Sequence, residues 1–205
     1  MELTIPAAVA RAASEFGDAV AVAGPARLSY RELGERAEGV AAALIEAGIE
    51  PGDRVALWAP NGVEWMLAAL GALSAGAVLV PVSTRFTGPE ALDVIGRCRA
   101  RALFVAGDFL GVDRLGALRA AAAAAAASAA SGSGALDRLG LVVRVPEEWD
   151  VFCSRGGSLA EARRRALLAE ARRRALLAEA RRRAGAVRPG DVSDIMFTSG
   201  TTGRS

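Results

Sequence analysis

Four short apolar runs constrain the fold of this 205-residue chain more than any other feature. They lie at residues 54–59, 78–82, 102–106 and 141–145, and turn-forming or charged residues bound each of them. Short runs without polar alternation are typical of strands that are buried on both faces, as in parallel sheets. Longer segments with helical spacing separate the runs. The sequence therefore predicts an α/β fold, with a mostly parallel sheet, flanking helices and right-handed crossovers.

Local signals place the remaining elements. Ser29 and Glu32 have the spacing of a capping box that starts a helix, and Gly48 marks the end of that helix. The other predicted elements are, in chain order, a helix at 5–16, a hairpin at 19–23 and 27–30, a helix beginning near Asn61, a helix at 89–99 and a last strand at 195–198.

The uncharged stretch at 65–84 has nearly the length of a membrane span. Gly71, Gly76 and Pro81 interrupt it, and the pattern changes from helical spacing to strand-forming residues. These breakers favour a helix, a turn and a buried strand over a transmembrane segment. Peripheral contact with a membrane stays open.

Composition excludes several classes of site. The chain is 52% apolar and 23% charged, as in globular domains, and it contains no histidine. We therefore expect no histidine-based nucleophile and no histidine metal site, and we predict neither catalytic residues nor metal ligands within the chain. Cys98 and Cys153 lack metal or redox spacing and are expected to be thiols. With no signal-peptide core at the N-terminus, these features predict a cytoplasmic protein.

The segment 194–205 indicates a phosphate-binding loop. An apolar, strand-like run leads directly into hydroxyl-bearing residues and glycines, and Arg204 follows. Glycines let the backbone approach a ligand closely, and hydroxyl and N–H groups can donate to phosphate. The spacing is not that of a Walker A loop, and an ordinary polar turn is the alternative. The candidate phosphate-binding residues are Thr198, Ser199, Gly200, Thr201, Thr202 and Gly203.

Four motifs in order give the chain a family resemblance. They lie at 28–33, 51–65, 73–82 and 198–203. Together they resemble the N-terminal subdomain of the adenylate-forming (AMP-binding) synthetases, which include acyl-CoA synthetases. The resemblance implies ATP-dependent activation of a small-molecule carboxylic acid to an acyl-adenylate and its transfer to CoA, with ATP, Mg²⁺ and CoA required by the complete enzyme. It also implies that residues 198–203 hold the ATP phosphates.

A narrower resemblance concerns the substrate. The strings at 85–88, 107–111 and 202–205 are similar to those of actinobacterial ligases that act on fatty acids or on the propionate left from steroid-ring breakdown. The family's acid pocket, ribose-binding aspartate and adenylation lysine would follow Ser205. We therefore interpret residues 1–205 as an N-terminal fragment of an AMP-binding synthetase domain, inactive alone.

Two segments depart from the alternating pattern. Residues 120–134 read as an alanine-rich helix that passes into a Ser/Gly linker, and residues 159–185 contain a nonapeptide three times. The repeats hold nine arginines and three glutamates, and they predict a long helix, interpreted as an insertion. Nine residues advance a helix by about 900°, so successive repeats point their leucines to opposite sides. We therefore expect that a single repeat is enough to cover one face of the core.

The basic helix supports an alternative function. The chain could be a non-catalytic truncated product or an interaction module that binds an acidic partner through this helix. We do not expect nucleic-acid binding, because no aromatic residues interleave with the arginines for base stacking.

Overall fold

Strands and helices alternate along most of the chain. The structure is a computed structural model that describes residues 4–24, 26–128, 134–154 and 162–195. Its helices are α1 Ile5–Phe16, α2 Tyr30–Glu46, α3 Val63–Ser74, α4 Gly88–Cys98, α5 Arg114–Ala127, α6 Trp149–Cys153 and α7 Ala162–Ala186, with a 3₁₀ turn at Leu136–Arg138. Its strands are β1 Val20–Val22, β2 Leu28–Ser29, β3 Arg54–Trp58, β4 Val78–Pro81, β5 Ala102–Ala106, β6 Asp108–Phe109, β7 Val112–Asp113 and β8 Leu141–Val145.

A parallel sheet of four strands in the order β4-β3-β5-β8 forms the centre of the fold. All five residues of β5 are buried, as are four of the five residues of β3. In the edge strand β8, buried residues alternate with half-buried ones. The predicted α/β class with a mostly parallel sheet and flanking helices is therefore confirmed.

Helices cover both faces of the sheet. Neighbouring strand residues point to opposite faces, so Phe104 packs in the core formed with α2, α3, α6 and α7, whereas Leu103 packs in the core formed with α4 and α5. In the first core, Phe104 meets Trp149 and Phe152 at ring-centroid distances of 6.0 and 5.3 Å. This aromatic cluster fixes α6 against the sheet.

Two capping boxes start helices as the sequence dictates. The N–H of Ser29 donates to the Glu32 carboxylate at 2.8 Å, and this bond, with a second from the Ser29 hydroxyl, lowers the pKa of Glu32. Thr87 and Glu90 form the same arrangement at the start of α4, with an N–H to carboxylate distance of 2.7 Å. The box at Ser29 was predicted, and the one at Thr87 fixes where the chain turns after β4.

The structure settles the uncharged stretch as helix, turn and strand. α3 ends at Ser74, Gly76 adopts a φ of 81° in the turn, and β4 follows. No helix in the described part of the chain combines the length and the apolar character needed to cross a bilayer. The antiparallel pair β6 and β7 and the short helix α6 were not predicted.

The arginine-rich segment forms α7, which packs on α2, and residues of the third repeat (177–185) make its buried contacts there. Ala180 is 1% exposed and belongs to the core. Arg181 Nε and Nη2 donate to Glu38 Oε2 at 3.1 and 2.9 Å, and Arg183 Nη1 donates to the carbonyl oxygen of Ile49 at 3.0 Å. Two kinds of contact, an apolar one and a polar one, therefore hold this repeat on α2.

Close packing of α2 on α3 gives a stability prediction. A Cβ at Gly71 in α3 would overlap the side chain of Val40, which is 1% exposed. We expect Gly71→Ala to lower the free energy of unfolding by about 1–3 kcal/mol through overpacking, despite the better helix propensity of alanine. Gly39→Ala is the matched control, since a Cβ there meets nothing within 4 Å. Urea unfolding should show Gly39→Ala unchanged or stabilised, and equal effects of the two variants would contradict the packing argument.

Candidate functional site

The chain enters the candidate phosphate loop along the edge of the sheet. The N–H of Leu79 donates to Ser193 O at 2.9 Å, and the N–H of Ile195 donates to Leu79 O at 3.0 Å. Asp194 therefore lies beside β4 and runs parallel to it. The predicted site residues Thr198, Ser199, Gly200, Thr201, Thr202 and Gly203 lie outside the described residues. The segment that leads to them joins the sheet next to β4, with its direction toward the carboxyl ends of the strands.

A cleft of about 400 Å³ opens at the carboxyl ends of β3 and β4. Two polar side chains from the turn after β4, Ser83 and Thr84, contribute to its wall, and Asn61 and Trp65 line it from the start of α3. In open parallel sheets, ligands bind outside the carboxyl ends of the strands. The cleft therefore lies where a fold of this class binds its ligand.

Side chains from two other elements fix the turn that borders this cleft. Within the turn, the N–H of Phe86 donates to Ser83 O at 3.0 Å. Trp58 Nε1 also donates to Ser83 O, at 2.9 Å, and Arg114 Nη1 donates to Phe86 O at 3.0 Å. Both ends of the 83–86 turn are thus held from outside, by β3 through Trp58 and by α5 through Arg114.

Arg114 connects this turn to the aromatic residues around it. Its guanidinium lies 5.4 Å from the Trp58 ring and 5.7 Å from the Phe109 ring, measured to the ring centroids. Arg114 Nε is buried and has no hydrogen-bond partner within the described ranges. A cation at the first residue of a helix opposes the helix dipole, so contacts with the rings and with Phe86 offset an unfavourable position.

Sequence reasoning missed Arg114 and the hairpin before it. The hairpin turns at Leu110 and Gly111, whose φ angles of 56° and 73° are both positive. Two such residues between short strands are typical of a tight hairpin, and Gly111 was the available signal. The role of Arg114 depends on Trp58 and Phe86, which are distant in sequence, and no local pattern indicates it.

Neither cysteine has the environment of an activated thiol. Cys98 is buried, and burial raises the pKa of its thiol. Cys153 is exposed, but desolvation of its thiol by the atoms around it, with a smaller effect of the Asp150 carboxylate, raises its pKa to about 11. Thiols of this kind are weak nucleophiles at neutral pH. Within the described ranges, no three acidic or cysteine residues are grouped so that they could hold a metal ion.

Comparison with known sequences identifies related proteins. A family model described as "AMP-binding enzyme" matches residues 9–205. The 3-[(3aS,4S,7aS)-7a-methyl-1,5-dioxo-octahydro-1H-inden-4-yl]propanoyl:CoA ligase of Rhodococcus jostii (strain RHA1) is 46% identical over 98% of this chain and 36% of the relative's length. The protein of the same name from Mycobacterium tuberculosis is 42% identical over 98% of this chain and 35% of its own length. The chain thus spans about a third of the length of these relatives.

Solved structures share the fold. The N-terminal domain of FACL13 from Mycobacterium tuberculosis superposes with a TM-score of 0.60 at 24% identity, over 75% of this chain and 36% of that one. The anthranilate CoA ligase AuaEII, solved in complex with anthranoyl-AMP, gives a TM-score of 0.58 at 24% identity, over 71% of this chain and 26% of that one. These similarities concern the fold alone.

The contacts of Arg114 lead to a second stability prediction. Arg114→Ala removes a charged hydrogen bond and a cation–π contact, and we expect the free energy of unfolding to fall by about 2 kcal/mol. Arg119→Ala, on an exposed position of the same helix, is the control and should change stability by less than about 0.5 kcal/mol. Urea unfolding of both variants is the measurement, and a neutral Arg114→Ala would show that the turn is not held by this residue.

Proposed function

This chain belongs to the AMP-binding enzyme family, and from that membership we propose that it contributes the ATP phosphate-binding part of an AMP-forming acid–CoA ligase. The observation that carries the proposal is the family match, which extends through residues 198–203. The sequence there supplies the hydroxyls and glycines that a phosphate loop needs. The relatives that match 98% of the chain are named as CoA ligases, which supports the same reaction.

The fold supports this assignment through the path of the chain. Asp194 and Ile195 lie beside β4 and run toward the edge of the sheet where the 400 Å³ cleft opens. Doubly wound sheets bind their ligands at this edge. A loop that follows Ile195 therefore needs only a few residues to bring hydroxyl and N–H donors to a ligand there.

The proposed reaction has two steps, and the loop acts in the first. A carboxylate attacks the α-phosphorus of ATP, so that an acyl-adenylate forms and pyrophosphate leaves. The CoA thiol then attacks the acyl carbon, and AMP leaves. Donors of residues 198–203 would hold the β- and γ-phosphates in position and stabilise the negative charge that grows on the departing pyrophosphate.

Mg²⁺, when bound with ATP, would neutralise charge on the phosphate oxygens. The described residues include no group of three acids or cysteines that could hold the ion. The roles proposed for the loop do not depend on where Mg²⁺ binds.

We propose an acid substrate of the same class as that named for the relatives, a propionate attached to a fused bicyclic ring. Sequence identity of 46% and 42% over 98% of the chain supports this choice. We propose a cytoplasmic location, which the need for ATP and CoA supports and in which free thiols such as Cys98 stay reduced.

The alternative function, an interaction module that binds an acidic partner through α7, is less well supported. Arg172 lies 3.4 Å from Glu46, and Arg181 and Arg183 contact α2 and the residues after it. These arginines pair with Glu46, Glu38 and Glu50 of the same chain, so an acidic partner would have to replace those ion pairs.

The phosphate loop can be tested by separating the two half-reactions. The chain spans 36% of the Rhodococcus relative, so the assay uses a chimera in which the rest of that relative follows residue 205. Hydrogen bonds to a charged phosphate are worth about 1.5–3 kcal/mol each. Ser199→Ala and Thr201→Ala should therefore slow adenylation by roughly tenfold to a hundredfold. The CoA step, started from supplied acyl-adenylate, should keep its rate because pyrophosphate has already left.

Ser131→Ala, in the Ser/Gly segment far from the loop in sequence, serves as the control and should leave both half-reactions unchanged. If Ser199 and Thr201 only shape a structural turn, both half-reactions should fall together with the midpoint of thermal unfolding. Equal losses in the two steps would overturn the role proposed for the loop.

A further inference from the structure

One of the three nonapeptides, the third, makes the described buried contact with α2. The first repeat is residues 159–167, the second is 168–176 and the third is 177–185. The third repeat packs on α2. Ala180 is buried there, and Arg181 donates hydrogen bonds to Glu38. Arg183 completes the contact through the carbonyl oxygen of Ile49. Every one of these contacts is made by a residue inside the repeat.

The other repeats carry the same residues at the same positions. Ala180 corresponds to Ala171 and Ala162, Arg181 to Arg172 and Arg163, and Arg183 to Arg174 and Arg165. The repeats differ only at their last residue, which is Gly185 in the third repeat and leucine in the other two. A Cβ at Gly185 would meet no heavy atom within 4 Å. The start of a leucine side chain is therefore accommodated where Gly185 now lies.

Chain connections allow another repeat to take this place. α6 packs on α2, and its Phe152 belongs to the same core cluster as Ala180, so α6 ends close to the docked repeat. The first repeat begins five residues after Ser154, a length that spans about 17 Å when extended. On the other side, eight residues separate the third repeat from Asp194, and a slip lengthens that connection to 17 or 26 residues.

We propose that α7 docks on α2 in more than one register, with the first or second repeat able to replace the third by a slip of 18 or nine residues. In this way α7 acts as a conformational device. Each slip shortens the segment before the docked repeat and lengthens the segment between that repeat and Asp194 by the same number of residues. Residues 194–195, beside β4, thus gain a longer connection to the docked repeat.

The registers are close in free energy. The contact of Arg172 with Glu46 is an exposed ion pair, and losing such a pair changes an equilibrium by about fivefold at most. A nine-residue slip doubles the connection to Asp194 and changes the equilibrium by about threefold, and an 18-residue slip changes it by about sixfold. The contacts that the docked repeat makes with Glu38 and Ile49 recur in every register and cancel. The slipped registers are therefore populated at a level that cross-linking can detect.

Cross-linking to Glu38 tests the proposal on the full chain. In a Cys153→Ser background, Glu38→Cys is combined with Arg181→Cys, Arg163→Cys or Arg164→Cys, and a short bismaleimide is added at low protein concentration. Along α7, position 163 is 18 residues from position 181, about 27 Å, which a short linker cannot bridge. Position 164 corresponds to Arg182, which pairs with Glu179 on its own helix. Intact mass and peptide mapping identify the intramolecular product.

We expect the 38–181 product from the register in the structure and a 38–163 product at least severalfold above the 38–164 control. Adding Ala162→Arg, which puts a charge where the docked repeat buries an alanine, should remove the 38–163 product and leave the 38–181 product unchanged. A 38–163 yield no higher than that of 38–164, or one unaffected by Ala162→Arg, overturns the proposal.

Thermal unfolding gives an independent test. Deleting residues 159–176 leaves one repeat and should shift the melting temperature by less than about 2 °C, because one repeat fills the docking site. Arg181→Glu with Arg183→Glu should lower the melting temperature by about 4–8 °C in this deletion variant. In the full chain the same pair of substitutions should cost less than half of that shift, because another repeat docks instead. Equal shifts in both backgrounds contradict exchange between repeats.

Discussion

The two middle strands of the sheet have no face toward water, and the rest of the structure depends on this constraint. β3 and β5 are buried on both sides, so helices must cover each face. Burying a single large apolar side chain such as Leu57, Leu103 or Phe104 contributes about 1.5–3 kcal/mol, and all three are 0% exposed. The crossovers between parallel strands supply these helices in chain order, and the carboxyl ends of the strands are left free for a ligand.

The strands and most of the helices follow from local patterns. Apolar runs predicted β5 and β8 at their observed bounds, and the capping box at Ser29 predicted the start of α2. These features depend on neighbouring residues, which sequence displays directly. Elements that depend on distant contacts were missed. α6 is five residues long and is held by the packing of Trp149 and Phe152 on Phe104, which no helical periodicity reveals.

The candidate site also has one part that local sequence predicts and one part that depends on distant contacts. Composition and family resemblance predicted residues 198–203 as phosphate-binding, and the structure adds the position of residues 193–195, which precede them, beside Leu79. The clamp on the 83–86 turn, by contrast, joins Trp58, Arg114 and Phe86 from three separate segments. A pattern in one segment cannot encode a contact of this kind. In the proposed enzyme the sheet and the clamped turn provide a fixed frame, and the chemistry belongs to the loop that follows Ile195.

Because one repeat makes the buried contacts with α2, the packing of the core does not depend on the length of α7. Ala180, Arg181 and Arg183 all lie within the third repeat, so their contacts do not depend on how many repeats precede it. Unequal recombination at the DNA level could therefore add or remove whole nonapeptides without a change in the buried surface. Selection on folding would act on one copy, and the number of copies would drift among related strains.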